Sequence, residues 1–140
     1  MITLKELQDI SEGVKNKKAA ALKEENRIYT EKQDIEYYGL MSELSLILKE
    51  AAMAGKTEKV VYQASAYSDN FSSELYTRRK GANYYVSWGK SINQKDIIET
   101  MRGNFGRIYN RLIELGFTPV VKYWTDGCGI DEGFQIIIKW

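Results

Sequence analysis

The sequence predicts an α+β fold: an antiparallel sheet of four to five strands with two helices packed on one face, preceded by a charged N-terminal helical arm. Three observations lead there. Apolar residues recur at helical spacing over two long stretches, short β-branched and aromatic runs follow each of them, and Gly, Asn, Asp and Pro fall between the runs. At 140 residues, 44% of them hydrophobic, the chain has the size of one domain able to bury a core without staples. A single domain over 1–140 is the expectation, with 1–30 as the arm.

The elements follow in order. Thr3-x-x-Glu6 has the form of a capping box and opens a helix. Leu7, Val14, Ala21, Ile28 and Ile35 then recur every seventh residue, but their seam companions are Leu4, Ser11, Lys18, Glu25 and Lys32, so half of a coiled-coil seam is present. A stripe this thin, set among lysines and glutamates, suits an exposed arm or one that pairs with another copy. From Ile35 the stripe widens through Tyr37, Leu40, Met41, Leu44, Ile47, Leu48 and Ala51 to a stop at Gly55, which marks a core helix. Gly39 inside it suggests a kink or break between residues 26 and 39.

Strands are expected over Lys59 to Tyr67, Phe71 to Arg78 and Asn83 to Trp88, with Ser68-Asp69-Asn70 as a turn. Asn93-x-x-Asp96 opens a helix carrying Ile98, Met101, Phe105, Ile108, Leu112 and Leu115, closed by Gly116 with Pro119 beyond. The remainder reads as a hairpin, Val120 to Trp124 and Phe134 to Trp140, with Phe134, Ile136, Ile138 and Trp140 on one face. Residues 125–133 connect its strands.

Composition narrows the chemistry. Cys128 is the one cysteine, so no internal disulfide forms, and the N-terminus enters a charged helical pattern with no apolar signal core. No apolar run is long enough to span a bilayer, so a cytoplasmic protein without a membrane partner is expected. The absence of histidine removes Ser-His and Cys-His nucleophile activation and most zinc sites. There is no phosphate-binding glycine motif after a strand and no Cys-x-x-Cys pair. A non-enzymatic protein without cofactor is the reading. The loop Asp126 to Glu132 offers three carboxylates and glycine-freed carbonyls to a divalent cation but lacks EF-hand spacing, and no metal is assigned to it.

Net charge is +1, but its distribution is uneven: residues 78–111 hold eight basic residues against Asp96 and Glu99 alone. Arg78, Arg79 and Lys80 form a basic turn with Tyr76, Tyr84 and Tyr85 close in sequence. Cations beside aromatic faces suit phosphates and bases, so these six are the candidate binding residues for a nucleic acid or nucleotide. A charged tip that keeps a hairpin soluble uses the same residues. Lys95, Arg102, Arg107 and Arg111 flank the last helix, where their stems cover the core edge.

The apolar helix ending Lys49-Glu50-Ala51-Ala52-Met53-Ala54-Gly55-Lys56, the stretch Leu112-Ile113-Glu114-Leu115-Gly116-Phe117-Thr118-Pro119-Val120 and the terminal Trp140 together resemble small accessory proteins of bacteriophages and other mobile elements. The resemblance implies a setting in the cytoplasm of a bacterial host. Many such proteins bind and disable a host factor, including immune systems such as CRISPR–Cas, or sequester nucleotide immune signals. It implies as partner a host protein or ribonucleoprotein complex, engaged stoichiometrically, and assigns no individual residue a role. The half-seam adds the expectation of a homodimer through the N-terminal helix.

Overall fold

Helix α1, Leu4–Met53, begins where the capping box closes: the Thr3 amide donates to Glu6 Oε2 at 3.3 Å and the Glu6 amide donates to Thr3 Oγ1 at 3.2 Å. In this computed structural model residues 1–72, 94–128 and 131–140 are described. The helix runs unbroken from residue 26 through Gly39, the stretch in which a kink or break was expected. Gly39 is exposed, and Ser42 Oγ donates to its carbonyl at 2.8 Å, so the glycine weakens the helix without interrupting it. A Schellman motif ends it: the Gly55 amide donates to the Ala52 carbonyl and the Lys56 amide to the Ala51 carbonyl, each at 3.0 Å, with Gly55 at φ 81°.

Strand β1, Glu58–Ser65, follows at once. Beyond it come α2, Gln94–Thr100; α3, Gly103–Glu114; β2, Val120–Thr125; and β3, Glu132–Lys139. The sheet is antiparallel, in the order β1-β3-β2, so the last strand is central and pairs Tyr62↔Ile136↔Val121 and Ala64↔Phe134↔Tyr123 across its neighbours. A bulge at Val61 shifts the β1 register. The fold is thus α+β, with three strands among the described residues rather than four or five. The expected strand Asn83 to Trp88 lies outside them, as does all of Phe71 to Arg78 except its first two residues. Phe71 itself makes an isolated antiparallel bridge with Met101.

That bridge explains why one expected helix is two. The Ser72 amide donates to the Thr100 carbonyl at 2.7 Å and the Arg102 amide to the Asn70 carbonyl at 2.5 Å, so backbone from outside the helix takes over at Met101 and Arg102. Arg102 is extended, Gly103 adopts φ 52°, and α3 starts afresh. No side chain of its own caps α3. Instead Asn70 Oδ1 accepts from the Phe105 amide at 3.1 Å, an N-cap contributed from 35 residues away. A second Schellman motif at Gly116, φ 92°, closes α3 through Ile113 and Leu112.

The described chain divides into two compact units, Met1–Glu36 and Tyr37–Trp140. All of its buried residues belong to the second. Tyr37 and Leu44 of α1, Phe71, Ile97 and Met101, and Phe105, Ile108 and Leu112 of α3 form one cluster with Val61, Ala64, Val121, Phe134, Ile136 and Ile138 of the sheet. Ile137 points to the opposite face between Val60 and Val120. Trp140 does not continue the buried row: it lies past the end of β3, 49% exposed, held by its amide to the Thr57 carbonyl. Because the core draws nothing from residues 1–36, a chain starting at Tyr37 is expected to unfold cooperatively in urea, and loss of that transition would show that the arm contributes to the core.

Candidate interaction surface

Residues 4–36 of α1 are almost wholly exposed, with only Gln33 and Asp34 partly covered. At 100° per residue the side chains of Leu4, Leu7, Ile10, Val14, Ala21, Leu22, Ile28, Tyr29 and Ile35 fall within an arc of about 140°. The large members are far from buried: Val14 is 48% exposed, Leu22 59%, Ile28 41% and Ile35 68%. An apolar face of this length, exposed along its whole run, is unusual for a globular chain. Sequence periodicity found six of these nine. Counting in sevens picks out Leu7 to Ile35 but omits Ile10, Leu22 and Tyr29. Plotting at 3.6 residues per turn recovers them, because a straight helix drifts by about 20° per heptad.

The polar residues of the arm are placed by the same periodicity. Ser11, Lys18, Glu25 and Lys32 lie within the apolar face, whereas Asp9, Glu12, Lys23 and Asp34 lie on the opposite side. On the flank Arg27 bonds Glu24 at 2.7 Å and Glu31 at 3.1 Å, both pairs at helical neighbour spacing. Its guanidinium lowers the Glu24 carboxyl from its ordinary value, and Glu24 in turn raises Arg27. Gln33 Nε2 donates to the Tyr29 hydroxyl at 2.6 Å, which orients that ring along the helix.

In the second unit the carboxylates of the β2–β3 connection serve its own structure. Asp126 accepts from the amides of Cys128 at 2.9 Å and Asp131 at 3.0 Å. Asp131 accepts from Ser65 Oγ at 2.7 Å, and buried Glu132 from the hydroxyls of Tyr67 at 2.6 Å and Tyr123 at 2.5 Å. Two phenols on one carboxylate tie the segment just past β1 and the middle of β2 to β3. No group of three or more metal-ligating side chains occurs among the described residues. A groove of about 420 Å³ between the end of α1 and β1 is lined by Ala51, Val60, Glu50, Lys56 and Lys59 among others.

Arg78, Arg79, Lys80, Tyr76, Tyr84 and Tyr85 lie outside the described residues. The helical cations are engaged locally. Arg102 Nη1 donates to the Met101 and Glu99 carbonyls, and Arg111 pairs with Glu114 at 3.0 Å. The Arg107 guanidinium stacks 3.8 Å from the Tyr37 ring centroid and 5.2 Å from that of Tyr38, covering the core edge as its position in the sequence suggested. No helix among the described residues is long and apolar enough to cross a membrane. No protein-family model, curated protein or solved structure matches this chain.

Proposed function

We propose that this chain is a non-enzymatic binding protein of a bacteriophage or mobile element, which acts in the bacterial cytoplasm by occupying the surface of a host protein or ribonucleoprotein complex. An immune assembly of the CRISPR–Cas kind is the leading class of target, on the resemblance of its helix ends and terminal strand to phage accessory proteins. The observation that carries the reading is the arm: nine apolar side chains on one face of α1, all of them exposed. A chain without histidine, whose described loop carboxylates accept bonds from the loop itself and from the adjoining strand β1, has little to catalyse with and a long surface to bind with.

The test is native mass spectrometry of the tagged full-length chain recovered from bacterial cells. A host protein or ribonucleoprotein retained at a fixed integer ratio is the expected result. Recovery of the chain with no host component, or an activity that turns over many equivalents per chain, would overturn the reading.

A further inference from the structure

The order of the polar residues within the arm face selects what covers it. Ser11, Lys18, Glu25 and Lys32 recur every seven residues and drift slowly across the face, from near one edge at Ser11 to its middle at Glu25 and Lys32. Two copies laid side by side in the same direction would stack Lys18 on Lys18, Glu25 on Glu25 and Lys32 on Lys32, three successive like-charge layers in one seam. Laid in opposite directions, the same helices become complementary. Lys18 and Glu25 are equidistant from the Ala21–Leu22 peptide, so a two-fold axis there sets each lysine beside the other copy's glutamate. On the same axis Val14 falls opposite Tyr29, Ala21 opposite Leu22, and Lys17 near Glu24.

We propose that the arm pairs with the arm of a second copy of this chain, antiparallel, about a two-fold axis at Ala21–Leu22. The overlap runs from Leu7 to Glu36, about 45 Å of helix. Asp9, Glu12 and Asp34 lie on the far side, away from the seam. Pairing also accounts for the helix itself: most helical stability in proteins comes from packing an apolar face, and residues 4–36 bury none of theirs within the chain. The proposal rests on the reading of the arm as an association surface and names its occupant.

The experiment is sedimentation equilibrium on the full-length chain and on Lys18→Glu, Glu25→Lys and the double variant, with circular dichroism to confirm that each keeps its helix. The expected result is a dimer that each single reversal weakens about ten-fold, since two opposite-charge pairs become two like-charge pairs, and that the double variant restores. In a Cys128→Ser background, Leu22→Cys is expected to form a disulfide-linked dimer with itself, and Val14→Cys only with a Tyr29→Cys chain. A monomer at high micromolar concentration, a dimer indifferent to the reversals, or self-cross-linking of Val14→Cys would each overturn the proposal. Failure here is separable from failure of the proposed function: a monomer that still retains a host protein at a fixed ratio removes the second copy and keeps the binding protein.

Discussion

Gly133→Ala is expected to lower stability by about 3 kcal/mol or more, because the added carbon has no direction in which to go. A Cβ built on Gly133 meets the Ala64 carbonyl oxygen at 2.0 Å and the Trp124 Nε1 at 2.8 Å. The first of these is backbone of the paired strand β1, which cannot swing aside as a side chain can. The second is the indole that donates to that same carbonyl at 3.3 Å, so the tryptophan crosses the bare glycine to reach β1. Relief of the clash requires β1 to move off β3 where Ser65 pairs with Gly133, next to the Tyr67–Glu132 and Ser65–Asp131 bonds. Urea denaturation reads the loss as a lowered midpoint. Gly39→Ala serves as the opposite-signed control: nothing lies within 4 Å of its added carbon, and alanine in a helix interior should stabilise by roughly 0.5–1 kcal/mol. A Gly133→Ala protein as stable as the parent would mean that the strands do not approach as closely as this.

Gly133 also shows where sequence reasoning stopped. Read alone, Asp126-Gly-Cys-Gly-Ile-Asp-Glu-Gly133 has the composition of a turn, and its carboxylates invite a cation. The structure instead draws Glu132 and Gly133 into the central strand, since a glycine required by close approach of a neighbouring strand leaves the same mark in a sequence as one required by a turn. Features set by near neighbours were legible: the Thr3–Glu6 box, both glycine helix stops, the hairpin partners and the apolar line of the arm. What was not legible depends on contacts distant in sequence. Met101 continues the apolar spacing from Ile98 to Phe105, so nothing local announces that Asn70 and Phe71 will bond into the helix and divide it there. The arm face was only partly visible, because a seven-residue count follows a supercoiled seam and not the broader face of a straight helix.

The same division of the helix underlies the largest effect expected from a single core side chain. Phe105, wholly buried on the first turn of α3, has its ring centroid 4.7 Å from Phe71 and 5.9 Å from Tyr62. Phe71 in turn lies 5.2 Å from Phe134, which is 6.1 Å from Tyr123, so a line of rings joins β1, α3, the Phe71 bridge, β3 and β2. Phe105→Ala removes the ring that connects the first of these to the rest and leaves a cavity between helix and sheet, at an expected cost of about 3–5 kcal/mol. Phe105→Leu keeps most of the volume and should cost less, about 1–2 kcal/mol. Because the Phe105 amide is also the one that Asn70 caps, loss of the ring and loss of the cap act on one joint. Asn70→Ala alone should cost about 1 kcal/mol, and its effect should shrink in the Phe105→Ala background, where α3 is already free to shift. Urea midpoints of the two single variants and the double variant measure that coupling. Strict additivity would mean that the cap and the aromatic line stabilise the chain independently, and that the break at Met101 is a local accident of Gly103 rather than the point at which the 70–72 segment holds α3 against the sheet.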